Sequence, residues 1–306
     1  MHAGPQRGSQ RPGRHPDGGD HLADGRFHQR IPQGADGARG HGRSGRPSGA
    51  RTNHALRPTH RCRAEGIVTS WTAIVPIKRL ALAKQRLALP GPVRRALAEA
   101  FARDVLVAAL ETPGIDRVLA VCSDASLRRF CRRHGARLVS DWVQTSGDAL
   151  NISIMRGVSW ADRRYPNDHV VVIPSDLPSI DACSLASALE GAVGLDRAFV
   201  ADAEEYGTSL LMASSPARLI PRYGHGSAAL HRAAGHVELT QAPRCLRRDV
   251  DDLDGLQEAV GLGVGEFTFS SVSGATGAAR MAAAGDRWAG IVSAAAGASA
   301  SAGSRP

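Results

Sequence analysis

The sequence predicts an α/β fold built around a mostly parallel β-sheet. Short apolar segments rich in β-branched residues, such as TAIVPI (Thr72–Ile77) and HVVVIPSD (His169–Asp176), alternate with longer segments of helical periodicity. Strands that are apolar on both faces are typical of parallel sheets that helices cover on both sides. The alternation extends over residues 68–265, a usual length for a single domain.

Each predicted element follows from a local pattern. Helix Pro92–Leu110 carries proline in its first turn, where a missing N–H does no harm, and helix Ala125–Gly135 ends at a glycine. The predicted strands are Thr72–Ile77, Arg117–Ser123, Ala136–Asp141, His169–Asp176, Arg197–Ala203, Thr208–Ala213 and Val237–Gln241. The other predicted helices are 147–164, 181–192, Ala228–Ala234 and one that begins near Leu253.

Residues 1–67 are predicted to be a disordered basic extension. They are rich in Gly, Arg, His and Pro and lack the periodicity needed to bury an apolar face. Twelve arginines against five acidic residues in 1–66 supply most of the net charge of +9. A misassigned start near Val68, a translated disordered extension and a nucleic-acid-binding arm are the alternatives. Because Phe27 is the single aromatic residue there for base stacking, we expect no nucleic-acid partner.

Residues 266–306 are predicted to be a low-complexity tail, since the chain is dominated by Ala, Gly and Ser from about Ser270 onward. The five cysteines are scattered without a CxxC pair, a pattern that indicates neither a disulfide framework nor a zinc site. No apolar run approaches the roughly 20 residues of a membrane span, and no secretory signal precedes the domain. These observations predict a cytoplasmic protein that does not bind membranes.

The two lysines of the chain lie in one loop. Lys78 and Lys84, together with Arg86, follow the first predicted strand, and arginine carries the positive charge elsewhere. Ligands of open α/β sheets bind beyond the carboxyl ends of the strands, where these cations would suit phosphate oxygens. The alternative is ordinary surface charge at the start of a helix. Within residues 68–265 neither GxGxxG nor GxxxxGK[ST] occurs, so a dinucleotide oxidoreductase or a P-loop NTPase is not supported.

Two further loops carry candidate metal ligands. Asp176 follows an apolar strand in a stiff turn between two prolines, and Asp249 and Asp251 alternate along an extended segment, so that their side chains share a face. Carboxylate oxygens are the ligands that Mg²⁺ prefers. The alternatives are that Asp176 caps a turn and that the pair is solvated. Asp252 is better explained as the N-cap of the helix that follows.

A fourth segment predicts an anion site. Thr208 enters a strand, and Gly224, Gly226 and Ser227 form a loop before the helix Ala228–Ala234. Backbone N–H groups and a serine hydroxyl at such a place bind anions. The alternative is a plain turn with Ser227 as the N-cap of the helix.

In this order, these segments resemble the CofC/FbiD guanylyltransferases. The shared motifs are VPIKRLALAKQRLA, the Leu150–Asn151 pair of DALNISI, IPSDLPSI, GTSLL, YGHGSAALH and DVDDLDGL, spread over Thr72–Val260. The resemblance implies a Rossmann-like, glycosyltransferase-A-type nucleotidyltransferase that joins GTP to a small phosphorylated three-carbon acid and releases pyrophosphate. That reaction is a step in coenzyme F-420 biosynthesis. The acid is phosphoenolpyruvate in the actinobacterial branch, which the arginine-rich composition favours, and 2-phospho-L-lactate in the archaeal branch.

The resemblance also implies residue roles. The residues implied to contact the acid substrate are Thr208, Gly224 and Ser227. Those implied to hold Mg²⁺ are Asp176, Asp249 and Asp251. Those implied to lie along the GTP phosphates are Lys78, Lys84 and Arg86, and the catalytic set is Lys78, Lys84 and Asp176. The implied partners are GTP, the acid and a downstream transferase that receives the product, and a homodimer is left open.

The sequence departs from the family pattern at two places, Ser209 and the Asp252–Leu253 pair, which puts the substrate preference in doubt more than the reaction class. A related nucleotidyltransferase acting on a sugar phosphate or on molybdopterin is the alternative. In the implied reaction the acceptor phosphate is already ionised and needs no general base, so we expect the nearby His225 and His231 to be structural.

Overall fold

The computed structural model describes residues 69–78, 80, 84, 86–141, 148–273, 291 and 293. Within this part of the chain, helices flank a seven-stranded sheet of order β3-β2-β1-β4-β6-β5-β7. The strands are β1 (Trp71–Pro76), β2 (Ile115–Cys122), β3 (Arg137–Ser140), β4 (His169–Val172), β5 (Arg197–Ala201), β6 (Thr208–Ala213) and β7 (Val237–Glu238). The helices are α1 (Gly91–Glu111), α2 (Ala125–His134), α3 (Ala149–Arg164), α4 (Ala182–Ala192), α5 (Ser227–Ala233), α6 (Arg244–Arg247), α7 (Leu253–Leu262) and α8 (Glu266–Ser273).

The predicted mostly parallel α/β sheet is confirmed, with one strand reversed. Four of the six strand pairings are parallel, and β6 runs antiparallel to both β4 and β5. The connection between β5 and β6 is too short for the crossover that a parallel pair needs. Asp202 closes this turn by accepting hydrogen bonds from the backbone N–H groups of Tyr206 and Gly207, at 2.9 and 2.7 Å. The start of β6 therefore lies at the edge of the sheet where β4 ends.

Local signals fix several element ends. Asp124 caps α2 by accepting from the backbone N–H of Ser126. Helix α2 ends at Gly135, which is in the left-handed conformation, and this end is as the sequence predicts. Asp252 accepts from the N–H of Gly255 and caps α7, which is also as predicted. The predicted strand His169–Asp176 was too long, because the chain leaves the sheet after Val172 to make the proline-bounded turn. The strand predicted over Val237–Gln241 is likewise reduced to the two residues of β7.

The sheet has an apolar core on each face. On β1, Ala73 and Val75 point to the face covered by α1, α2 and α4, while Ile74 points to the face covered by α3. All six residues of β1 are buried, which explains why this strand reads as a continuous apolar run. A third cluster joins the start of α1 to α7 through Phe101, Leu256 and their neighbours.

Helix α8 extends the fold past the domain end predicted at residue 265. Its first N–H groups, those of Phe267 and Thr268, donate to the buried carboxylate of Asp104 in α1, at 3.0 and 2.8 Å. The N–H of Gly265, just before α8, donates to the carbonyl of Pro178 at 2.9 Å. The boundary at 265 is therefore corrected to include α8. The low-complexity pattern that begins near Ser270 hid the apolar face that Val272 buries.

The remaining predictions about the two ends concern residues 1–67 and most of residues 274–306, which lie outside the described residues. Among the helices that are described, none has the length and apolar character required to cross a membrane.

Gly157 lets α3 lie directly on the sheet, and its replacement should destabilise the fold. A Cβ at this position would lie 2.5 Å from Ile74 Cγ2 and 3.0 Å from Val121 Cγ2. We expect Gly157→Ala to lower the free energy of unfolding by about 1–3 kcal/mol through overpacking. Urea unfolding measures this change.

The matched control is Gly261→Ala near the end of α7, where a Cβ would meet nothing within 4 Å. There alanine should leave stability unchanged or raise it by up to about 1 kcal/mol, because alanine favours helix more than glycine does. Equal effects of the two substitutions would contradict the close packing of α3.

Candidate active site

The candidate site lies at the carboxyl ends of β1 and β4, which are neighbours in the sheet. The loop after β1 carries Lys78 and Lys84, and the turn after β4 carries Asp176. The segment before α7 reaches the same edge because the backbone N–H of Val250 donates to the carbonyl of Asp176 at 3.0 Å. This bond joins two segments that are far apart in sequence.

Three carboxylates converge at this edge. Asp176, Asp249 and Asp251 each offer an oxygen, and these oxygens lie within 4.8 Å of one another. Val250 is fully buried between the second and third of them, so the alternation of the extended segment turns Asp249 and Asp251 to one side. The structure thus brings together the three residues that the sequence analysis associates with a metal ion.

Lys84 is the cation closest to this cluster. Its Nζ lies 2.7 Å from Asp176 Oδ2 and 3.0 Å from Asp251 Oδ1, and the lysine side chain is 9% exposed. Its backbone has a φ of 55°, in the left-handed region that non-glycine residues seldom adopt. Burial would lower the pKa of the Lys84 ammonium, but the charges of Asp176 and Asp251 outweigh burial and raise its pKa.

The other two predicted cations lie further out. Lys78 is exposed, and its charge contributes to the low pKa of Asp176. The Arg86 side chain is 82% exposed, with its guanidinium Nη1 3.5 Å from Asp251 Oδ2. Both are open to solvent near the acidic cluster, where a polyphosphate could reach them.

The cluster carries more negative charge than its lysine balances. Burial would raise the pKa of Asp176, but the Lys84 ammonium, helped by Lys78, brings that pKa below its ordinary value. Asp249 differs, because burial, followed by the charges of Asp176 and Asp251, raises its pKa to about 7. A divalent cation would relieve this repulsion, and three carboxylates are a donor set that hard cations prefer. The residues present therefore fit a divalent metal.

The predicted anion-binding residues also meet at this edge. Because β6 is antiparallel to β4, with Val172 opposite Leu211, Thr208 lies level with the turn that carries Asp176. Ser227 Oγ lies 3.1 Å from Thr208 Oγ1, and the N–H of Ser227 donates to the carbonyl of Gly224 at 3.2 Å. Thr208, Gly224 and Ser227 thus form one group, as their predicted shared role requires.

Asn151 positions the loop that carries Gly224 and Ser227. Its side-chain oxygen accepts from the N–H of Tyr223, and its side-chain nitrogen donates to the Tyr223 carbonyl, both at 2.9 Å. Burial, and then the charge of Asp176, raises the pKa of the Tyr223 phenol, so this loop lies near the acidic cluster. Sequence analysis noted Asn151 within a motif but gave it no role, since its partner is a backbone 72 residues away.

Comparisons with known proteins agree with this geometry. Residues 96–242 match the MobA-like NTP transferase domain family. The chain is 39% identical over 207 residues to a phosphoenolpyruvate guanylyltransferase of Streptomyces scabiei, covering 66% of this chain and 96% of that protein. It is also 39% identical over 215 residues to a protein of the same name from Geodermatophilus obscurus, covering 68% and 96% of the two chains.

A solved structure from Desulfovibrio desulfuricans G20, of a protein provisionally named a nucleotide-diphospho-sugar transferase, superimposes with a TM-score of 0.50 at 17% sequence identity. The match covers 73% of this chain and 98% of that one. At this level of identity the likeness establishes the fold, which is that of nucleotidyltransferases of glycosyltransferase-A type.

The raised pKa of Asp249 leads to a pH-dependent stability. Between about pH 4 and pH 7 the folded chain keeps a proton that the unfolded chain releases, so the free energy of unfolding falls as pH rises through this window. In metal-free protein at pH 8, we expect Asp249→Asn to raise the free energy of unfolding by about 1–3 kcal/mol, allowing for solvent screening. At about pH 4 the two proteins should be equally stable.

Urea unfolding in the presence of a chelator measures the difference at both pH values. The control is Asp252→Asn, which keeps an N-cap for α7 and lies outside the carboxylate cluster. A gain in stability for Asp252→Asn, or none for Asp249→Asn at pH 8, would contradict the proposed charge repulsion.

Proposed function

This chain belongs to the phosphoenolpyruvate guanylyltransferase family, and we propose on that premise that it joins GTP to phosphoenolpyruvate and releases pyrophosphate. The product would be enolpyruvoyl-2-diphospho-5'-guanosine, an intermediate of coenzyme F-420 biosynthesis. One observation carries the proposal beyond family membership. The Lys84–carboxylate cluster and the Thr208–Ser227 hydroxyl pair lie at the same edge of one sheet, which suits a triphosphate and an anionic acceptor side by side.

The reaction is a displacement at phosphorus. A phosphate oxygen of phosphoenolpyruvate attacks the α-phosphorus of GTP, and the bond from that phosphorus to the oxygen bridging to the β-phosphorus breaks as pyrophosphate leaves. The acceptor phosphate is ionised near neutral pH, so no side chain has to remove a proton. The protein's contribution is then to hold two polyanions in line and to balance their charge.

Asp176, Asp249 and Asp251 would hold Mg²⁺, whose contribution when bound is to neutralise phosphate oxygens. Lys78, Lys84 and Arg86 would lie along the GTP phosphates, a role that their position after β1 supports. Lys84 already lies between two of the carboxylates, so its ammonium is held where the metal-bound phosphates would arrive.

Thr208, Gly224 and Ser227 would bind the phosphate and carboxylate of the acid. Both residues are nearly buried, with Thr208 8% and Ser227 2% exposed, so a ligand there would replace little bulk water. A hydroxyl in such a place binds an anion more strongly than an exposed hydroxyl would, because the local dielectric constant is low.

Other acceptors define the alternative functions. 2-Phospho-L-lactate differs from phosphoenolpyruvate in the three-carbon skeleton and would use the same anion-binding groups. A sugar phosphate or molybdopterin is the second alternative, for which the match to the MobA-like domain family is the supporting observation. The proposal also includes a cytoplasmic location and hand-over of the product to a downstream transferase, with no nucleic-acid or membrane partner, and it leaves a homodimer open.

Replacing Asp176 should remove turnover and spare the fold. Asp176→Asn keeps the shape of the side chain but removes a charge from the metal set, so we expect pyrophosphate release from GTP and phosphoenolpyruvate to fall by about 100-fold or more. A coupled pyrophosphate assay measures it. The control, Asp181→Asn, keeps an N-cap for α4 within the same loop and should retain activity. Normal turnover by Asp176→Asn would remove the metal role.

Replacing Lys84 should weaken the use of GTP. Lys84→Ala removes a charge-assisted contact, which corresponds to an increase of about 10- to 100-fold in the KM for GTP. Arg133→Ala, in the exposed last turn of α2, removes one positive charge elsewhere and should leave that KM unchanged. An unchanged KM for GTP in Lys84→Ala would reduce this lysine to a structural counter-ion of Asp176.

A further inference from the structure

A buried histidine lies directly behind the hydroxyl pair Thr208–Ser227. His231 of α5 has no exposed surface, and the aromatic rings of Phe199 and Tyr223 pack near it, with centroids 6.0 and 5.4 Å from its own. Both of its ring nitrogens nevertheless have polar partners. An apolar side chain could fill this space without any polar partner. The two polar contacts of the imidazole therefore indicate a role beyond packing.

The backbone fixes the tautomer of this histidine. The N–H of Arg222 points at His231 Nε2, 3.0 Å away, and an amide N–H can only donate. Nε2 must therefore offer its lone pair, and the ring proton lies on Nδ1. Nδ1 is 2.8 Å from Thr208 Oγ1, so the imidazole donates to the threonine hydroxyl, a bond that it shares with the backbone of Ser227.

The imidazole also stays neutral. A proton on Nε2 would face the Arg222 N–H, donor against donor. Burial, and then the electrostatic effect of the His236 and Arg222 side chains, lowers the pKa of His231 to about 4. The direction of the hydrogen bond from His231 to Thr208 is therefore constant from about pH 8 to about pH 5.5.

This direction leaves one hydroxyl proton free. Thr208 and Ser227 together have two O–H groups, and the single bond between their oxygens, 3.1 Å long, uses one of these protons. Thr208 cannot use its own proton on His231, because the imidazole already donates in that bond. One O–H of the pair is thus left to donate to a ligand, and hydrogen bonds accepted by the same oxygens polarise it further.

We propose that His231 is a positioning residue, which orients the Thr208–Ser227 hydroxyl pair so that one O–H is directed at an anionic oxygen of the acid substrate. This inference rests on the proposed function for the identity of that acid. The chain of contacts itself, from the Arg222 N–H through the imidazole to the two hydroxyls, is a property of the protein alone.

The tautomer is tested directly by ¹⁵N NMR of the histidine rings in the full chain. His231 should carry its proton on Nδ1, with Nε2 unprotonated, from about pH 8 to about pH 5.5. An Nε2–H tautomer, or a charged ring at pH 6, would overturn the proposal. This measurement needs no substrate, so its outcome is independent of whether the enzyme uses phosphoenolpyruvate.

Two variants of His231 separate its two contacts. His231→Asn keeps an N–H donor near the Nδ1 position, and His231→Gln keeps an acceptor near the Nε2 position but loses the donor to Thr208. We expect His231→Gln to raise the KM for phosphoenolpyruvate about tenfold or more, with the KM for GTP changed less than about twofold. His231→Asn should stay within about threefold of the wild type for both substrates.

The matched control is His236→Asn. His236 is a second buried histidine, and its Nδ1 contacts the His231 carbonyl at 3.2 Å. It takes no part in the chain of contacts from the Arg222 N–H through His231 to the two hydroxyls, here called the relay. It should leave both KM values near those of the wild type. If His231→Gln raises both KM values equally, or if His236→Asn matches it, the role of His231 is packing and the proposal fails.

A double-mutant cycle with Thr208→Val gives the sharpest test. If His231 acts through the threonine hydroxyl, then adding His231→Gln to Thr208→Val should weaken phosphoenolpyruvate binding no further, whereas independent effects would multiply and refute the relay. Calorimetric titration with phosphoenolpyruvate provides the binding constants. If the wild type binds phosphoenolpyruvate but forms no pyrophosphate, the proposed function fails while the relay is still decided by these titrations.

Discussion

Repulsion among three carboxylates is the interaction around which the active edge of this protein is arranged. Asp176, Asp249 and Asp251 come from two separate segments, and the hydrogen bond from the Val250 N–H to the Asp176 carbonyl holds these segments in register. Lys84 offsets part of the charge, while burial, followed by the charges of Asp176 and Asp251, raises the pKa of Asp249. The repulsion among these carboxylates lowers the stability of the fold, and a divalent cation would relieve it. Such local destabilisation is common at functional sites.

The reversed strand β6 determines how the second half of the site is placed. A parallel β6 would begin at the opposite edge of the sheet and would carry Thr208 away from Asp176. The short turn closed by Asp202 reverses the chain, and Asn151 then fastens the following loop to the start of α3 through both polar groups of the Tyr223 backbone. The carboxylate cluster and the Thr208–Ser227 pair are thus brought to one edge with the help of side chains that bond to backbone groups.

Much of this could be predicted from the sequence because the signals were local. The apolar run of β1, the cap at Asp252 and the glycine that ends α2 each depend on neighbours a few residues away. The reversal of β6 was not predicted, although the six residues between β5 and β6 are too few for a crossover. The roles of Asn151 and Val250 could not be predicted, because their partners are backbone groups that only the folded chain brings near. Helix α8 was missed because its Ser-rich composition resembles that of the tail beyond it.

Helix α8 links the far end of the described core to the chemistry of the site. Asp104 holds its first turn, and the residue just before it, Gly265, donates to the carbonyl of Pro178, two positions from Asp176. The turn that bears Asp176 is thus braced by a segment outside the carboxylate cluster. Mechanical load applied to the C-terminal end of the core, by a fused domain or by a neighbour in an assembly, would be transmitted through α8 to the turn that carries Asp176.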